Sequence, residues 1–126
     1  ITRENPYVLN YLAYSWLERN YKIELSMEML KEAYDLRKND PYITDSLGWG
    51  YYLINDFENA EKYLKKAVEL MPYDPIVNDH YGDILWMLNR KIQARYFWNN
   101  VLNLDETDDE MKIDVKKKII YGIEKT

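Results

Sequence analysis

Residues 41–74, PYITDSLGWGYYLINDFENAEKYLKKAVELMPYD, placed above residues 75–108, PIVNDHYGDILWMLNRKIQARYFWNNVLNLDETD, decide how this chain is read. At a constant offset of 34, Pro41 pairs with Pro75, Asp45 with Asp79, Gly48 with Gly82, Asn55 with Asn89, Ala60 with Ala94, Leu70 with Leu104 and Asp74 with Asp108. Ile43 and Val77, Tyr52 and Trp86, Leu53 and Met87, and Ala67 and Val101 are similar in kind. Self-similarity at a fixed period marks stacked supersecondary units, none of which can bury its apolar face alone.

Upstream, a further copy occupies residues 6–40. Pro6, Leu12 and Ala13 lie 35 residues before Pro41, Leu47 and Gly48, whereas Ser26, Leu30, Ala33 and Leu36 lie 34 before Ala60, Leu64, Ala67 and Leu70. The extra residue falls in the turn around ERNYKIE, where an insertion costs little. Within each copy the apolar residues recur at helical spacing, as in Leu9, Leu12, Ala13 and Trp16, or Phe57, Ala60, Leu64 and Ala67. Each copy is therefore predicted to be an antiparallel helix pair: roughly 6–19 with 23–37, 41–54 with 57–71, and 75–88 with 91–103. The leading proline of each copy suits the first turn of a helix, where its missing N–H costs nothing.

Downstream, ETDDEMKIDVKKKIIYGIEKT predicts a capping helix over 107–123. Thr107 and Glu110 have capping-box spacing, Asp108 and Asp109 suit the positive end of the helix dipole, and Met111, Val115 and Ile119 form one apolar stripe. The Lys116–Lys118 run is expected to face water, so that the helix closes the stack as its C-terminal end.

Composition narrows the function classes. The 126 residues read as a single domain, and 47% are hydrophobic, enough for a core without disulfides or metals. Thirteen Tyr and 4 Trp against 2 Phe favour aromatic side chains with a polar tip, which suit binding surfaces as well as cores. The net charge of −5 disfavours nucleic acid, which demands a basic footprint. No Cys is present, which excludes thiol catalysis and a thiolate zinc site, and no apolar run is long enough to span a membrane. The opening ITRENPYV has neither an initiating Met nor the apolar core of a signal peptide, so the chain is read as a C-terminal fragment of a longer protein.

A 34-residue helix-turn-helix unit with a large residue and then Gly at its seventh and eighth positions, and Ala at its twentieth, resembles the tetratricopeptide repeat. Copy two carries the pattern in Leu47, Gly48, Tyr51, Ala60, Leu64, Ala67 and Pro72; copy three carries it in Tyr81, Gly82, Leu85, Ala94, Trp98 and Val101. Copy one departs from it, with Ala13 for Gly, Ser26 for Ala and Lys38 for Pro. The phrasing of LNYLAYSWLERN and of residues 74–105 is also similar to the C-terminal region of long bacterial, alphaproteobacterial-type, members, many of them exported. Cytoplasmic and exported (periplasmic) locations both stay open.

The resemblance implies an all-α fold, a right-handed α-solenoid of three helix pairs plus the C-terminal capping helix. It also implies a concave groove lined by the first helix of each pair. Carried over position by position, the groove takes Tyr7, Asn10, Tyr11, Tyr14, Leu17 and Glu18 from copy one. Copy two supplies Tyr42, Asp45, Ser46, Trp49, Tyr52 and Leu53, and copy three Ile76, Asp79, His80, Asp83, Trp86 and Met87. The expected partner-binding residues are Tyr14, Tyr42, Asp45, Trp49, Tyr52, Asp79, Asp83 and Trp86. Trp16, Tyr51 and Trp98 fill core positions, which leaves Trp49, Tyr52 and Trp86 surplus to stacking and expected at the surface as contact residues.

Some relatives grip acidic chaperone tails with Lys, Arg and Asn side chains. Here Asn10 is the sole such residue in the groove, and Asp45, Asp79 and Asp83 would repel a carboxylate. The expected partner is a protein or peptide that is apolar or aromatic and neutral to basic. The alternative is a structural cap or self-association segment of a longer solenoid, with a homo-oligomer as its mark. A catalytic role would have to use the single histidine, His80, with Ser46 and Asp79, and no oxyanion loop accompanies them. No enzyme activity, metal or cofactor is expected. Residues 105–110 lack the glycine and ligand spacing of a calcium loop and read as a linker leading into a helix N-terminus.

Overall fold

A computed structural model describes residues 5–124. The described residues form seven helices and no strand: α1 (Pro6–Glu18), α2 (Ile23–Leu36), α3 (Pro41–Leu53), α4 (Phe57–Leu70), α5 (Pro75–Met87), α6 (Lys91–Asn103) and α7 (Asp109–Tyr121). The fold is an all-α solenoid of three antiparallel pairs closed by α7.

Local chemistry sets the boundaries. Pro6, Pro41 and Pro75 open the first helices, and each follows a side-chain cap. Asn5 Oδ1 accepts from Tyr7 N at 3.0 Å, Asp40 Oδ1 from Tyr42 N at 2.9 Å, and Asp74 Oδ2 from Val77 N at 2.9 Å. The first helices end before Asn20, Asn55 and Asn89, all left-handed (φ 54°, 66° and 64°), a conformation that Asn tolerates better than most residues. The connection in the first pair, 19–22, is one residue longer than 54–56 and 88–90, and Lys22 adds a second left-handed residue to it.

At α7 the capping box does not form. Asp108 caps the helix, its Oδ1 accepting from Met111 N at 2.8 Å, and the helix begins at Asp109. Thr107 is drawn beneath the chain, where its buried hydroxyl donates to the Val101 carbonyl at 2.6 Å at the end of α6.

Two apolar clusters, one around Leu9, Ala13, Leu30 and Leu47 and the other around Leu64, Val77, Ile84, Leu85 and Trp98, share Tyr51 and Leu53 at their junction. Val115 of α7 is fully buried in the second cluster, so the terminal helix seals the core there.

Close packing explains three glycines. A Cβ on Gly48 would lie 2.8 Å from Leu64 Cγ and 2.9 Å from Leu64 N, and one on Gly82 would lie 2.5 Å from the Trp98 ring. These two mark where the helices of one pair meet. Gly50 aligns with Ser15 and Ile84 rather than with a glycine, yet its Cβ would lie 2.7 Å from Met27 Sδ and 3.2 Å from Leu17 Cδ1. It marks a close approach between successive pairs.

The layers follow from the contacts. α1 packs on α3 and α3 on α5, and beyond its own pair each second helix packs mainly on the helix that follows it, α2 on α3, α4 on α5 and α6 on α7. The first helices therefore lie side by side in one layer, the inner face, and α2, α4 and α6 form the outer one.

Candidate functional site

Asp45, Trp49 and Tyr52 follow one another at helical spacing on α3, so they share the side turned toward α5. His80 meets them there. Its Nδ1 lies 2.9 Å and 3.0 Å from the two carboxylate oxygens of Asp45, and both residues are buried. The Trp49 ring is clamped in a stack, 3.9 Å and 12° from the His80 ring on one side and 4.5 Å and 11° from Tyr52 on the other. Burial of the imidazole opposes protonation. The carboxylate of Asp45, helped by Asp83 and Asp79, outweighs it and raises the His80 pKa above its ordinary value. The protonated ring then faces the indole as a cation faces a π surface.

One repeat further on, α7 supplies the partner. Lys118 Nζ donates to Asp79 Oδ1 at 2.8 Å and to Asp83 Oδ1 and Oδ2 at 2.9 Å and 3.2 Å. Asp83 Oδ1 also accepts from Trp98 Nε1 at 3.0 Å, which pins the core tryptophan to the same carboxylate. Burial, reinforced by Asp79, pushes the Asp83 carboxyl up to about 6 against the pull of Lys118. The Lys118 ammonium is held charged despite its burial by Asp83 and Asp79.

The expectation that Lys116–Lys118 faces water is thus corrected at one position: Lys116 and Lys117 are exposed, while Lys118 turns inward. Its placement has a local signal, because 118 falls on the helix face of Val115 and Ile119. Trp86, Trp49 and Tyr52 are likewise less exposed than a surplus of aromatics suggested. Tyr52 is buried, Trp49 is half-buried, and Trp86 packs over Trp98 with its Nε1 donating to the Ile123 carbonyl at 3.0 Å. The arrival of α7 and the residues after it is the reason for Trp86; the cross-repeat stack is the reason for Trp49 and Tyr52.

Tyr14 is half-buried on α1, where burial, and then Glu18 and Asp45, drive its phenol pKa up; it is hydrogen-bonded to Glu18. Tyr42 stands exposed in the first turn of α3. The structure therefore sorts the eight expected residues into an Asp45–Trp49–Tyr52 cluster completed by His80, an Asp79–Asp83 pair completed by Lys118, Trp86 beneath the C-terminal segment, and the more open Tyr14 and Tyr42.

Beside Lys118 opens a cleft of about 610 Å3 lined by Asp79, Met111 and Asp114, with Asp108 and Glu110 at its rim. Asp108, Glu110 and Asp114 are exposed there. Two buried polar atoms on this face, Trp49 Nε1 and Asn10 Oδ1, have no hydrogen-bond partner among the described residues. No cluster of metal-ligating side chains and no helix long and apolar enough to cross a membrane occurs among the described residues.

No protein-family model matches the chain. Over 61 residues it is 34% identical to a TPR repeat-containing protein of Pseudomonas aeruginosa, a match covering 48% of this chain but only 10% of that protein. Solved structures share the fold, two of which are bound to peptides. One is the first TPR of Spaghetti (RPAP3) bound to the HSP90 peptide SRMEEVD, with TM-score 0.76 and 17% identity over 93% of this chain and 92% of that one. The other is the Yersinia enterocolitica type III secretion chaperone SycD in complex with a peptide of the translocator YopD, with TM-score 0.75 and 16% identity over 89% and 87%.

Proposed function

We propose, from the tetratricopeptide-repeat fold that this chain carries, that it is a non-enzymatic scaffold holding a peptide or a segment of a partner protein along the face made by α1, α3 and α5. The observation that carries this reading is the division of that face. Its deep carboxylates are already matched by His80 and Lys118, while Tyr42 is exposed and Tyr14 and Trp49 are partly so. Contact with aromatic side chains therefore drives recognition, and charge tunes it.

The two structural neighbours, each in complex with a peptide, support the same role. An acidic peptide is the poorer fit here, because Lys118 is engaged by two carboxylates and His80 by Asp45, and the cleft next to Lys118 exposes Asp108, Glu110 and Asp114. The partner we infer is apolar or aromatic and neutral to basic.

The test is a set of equal-length peptides, aromatic-basic, aromatic-neutral and acidic, titrated into wild type and into Tyr14→Ala and Tyr42→Ala. The aromatic-basic and aromatic-neutral peptides bind, and the variants weaken them by about 5–10-fold at unchanged helicity. Preference for the acidic peptide, or affinity indifferent to both substitutions, overturns the reading.

A second reading rests on α1. Val8 and Tyr11 are 44% and 77% exposed, whereas their equivalents Ile43 and Ser46, and Val77 and His80, are buried beneath the preceding pair. That bare face favours a stacking segment of a longer solenoid or a self-associating one. Light scattering on wild type and Tyr11→Lys tests it, since self-association through this face predicts a larger species that the substitution dissolves.

A further inference from the structure

We propose that the outer face carries a second, independent binding site: the groove between α4 and α6, which takes an aromatic side chain followed by a basic residue from a partner segment. The argument comes from comparing two grooves that the repeat makes equivalent. Between α2 and α4 the chain fills the space itself. The Tyr34 ring meets Tyr63 edge-on at 5.1 Å and 78°. Lys66 Nζ lies 4.9 Å over the Tyr34 ring and donates to Tyr34 Oη at 2.7 Å and to the Lys38 carbonyl at 2.8 Å.

Thirty-four residues on, the same places hold Val68, Phe97, Asn100 and Pro72. Val in place of Tyr removes a phenol ring, and Asn in place of Lys removes the ammonium group. The aromatic floor persists, with Phe97 braced edge-on by Tyr81 at 4.7 Å and by Tyr96 at 5.2 Å. The result is an open groove of about 510 Å3 lined by Val68, Pro72, Tyr73, Phe97 and Leu104 among others. Tyr73 and Tyr96 stand 80% and 62% exposed on its walls.

What the first groove contains and the second lacks describes the occupant: a ring of about tyrosine size set against Phe97, with a cation close by. Charge complementarity agrees, because among the described residues lining the groove Glu69 alone is charged, and the chain as a whole carries −5. The partner is a peptide segment presenting Tyr, Trp or Phe with Lys or Arg adjacent to it. None of the eight residues expected to bind on the inner face lines this groove, and the two sites are read by different signals.

The experiment is an NMR titration of the chain with N-acetyl-Tyr-Lys-amide and, as the charge control, N-acetyl-Tyr-Glu-amide. The Tyr-Lys probe shifts the Phe97 and Tyr96 ring signals saturably and leaves the Trp49 indole signal in place; the Tyr-Glu probe binds about 2–5-fold more weakly. Val68→Tyr combined with Asn100→Lys, which rebuilds the plug of the first groove, abolishes the response. Tyr96→Ala, an exposed wall position that the fold tolerates, weakens it about 5-fold. Absence of a saturable shift, equal response to both probes, or binding undiminished in both variants overturns the proposal. So does a shift produced by protein concentration alone and removed by Tyr21→Ala, the exposed aromatic that Lys22 follows, which would make the occupant a second copy of the chain.

Discussion

Lys118 Nζ lies 2.8 Å from Asp79 Oδ1 and 2.9 Å from Asp83 Oδ1, so the terminal helix is bound to the solenoid by charge as well as by its apolar stripe. Removing one member of a largely buried ion pair leaves the other desolvated and uncompensated. Lys118→Met is expected to lower unfolding free energy by about 2–4 kcal/mol in urea denaturation. Adding Asp83→Asn is expected to recover part of that loss, because the stranded charge is gone. A Lys118→Met protein as stable as wild type would contradict the assignment.

The glycines separate by what a methyl group would strike. Gly48→Ala meets Leu64 including its backbone nitrogen, and Gly82→Ala meets the rigid Trp98 ring. Both are expected to cost about 2 kcal/mol or more, despite the gain in helix propensity of about 1 kcal/mol. Gly50→Ala meets first the thioether of Met27, a flexible side chain, and is expected to stay within about 1 kcal/mol of wild type. Thermal melts of the three variants side by side test the order.

Acidity should stabilise this protein between mildly basic and mildly acidic pH. His80 has a folded-state pKa above its ordinary value, so its contribution is complete below about 6.5 and is lost as pH rises through the folded value. Asp83, raised to about 6, holds its proton more tightly in the folded than in the unfolded state. Its effect runs the same way: stability falls as pH rises from about 4 to about 6. The melting temperature at pH 5.5 is expected to exceed that at pH 8 by about 3–8 °C. His80→Gln flattens the upper part of the profile and Asp83→Asn the lower part. A profile that rises toward pH 8 would contradict both assignments.

The turn asparagines give a backbone test. Asn55 and Asn89 are left-handed at equivalent positions. Replacement by Gly, which has no Cβ to crowd the following carbonyl, is expected to be neutral or slightly stabilising, and replacement by Ala to cost about 1 kcal/mol, because Ala keeps the Cβ but loses the local side-chain hydrogen bonding that makes this region tolerable for Asn. Chemical denaturation of the four single variants measures it.

The fold was legible because the period places the same residue kinds wherever one helix meets another: Gly48 and Gly82, Ala60 and Ala94. The candidate site was legible only in part. That Asp45, Trp49 and Tyr52 share a face follows from helical spacing. That His80 crosses to Asp45, or that Lys118 reaches back to Asp79, joins residues 35 and 39 apart through packing geometry that no local pattern expresses. Hydropathy assigns a lysine to solvent by default, and Lys118 departs from that rule because two carboxylates wait beneath it. Gly50 has no glycine at the equivalent positions, where Ser15 and Ile84 stand, and its role at one junction between pairs is visible only in the packing.

The forward-reaching bonds, Asp45 to His80 and Asp79 to Lys118, act like couplings between carriages. His80 hitches α5 to α3 and Lys118 hitches α7 to α5, whereas α1 exposes Val8 and Tyr11. The energy holding the stack together is therefore graded along the chain, and the molecule should come apart directionally. Amide protons of α1 and α2 are expected to exchange first, and those of α5 and α6, beneath the hitched terminal helix, last.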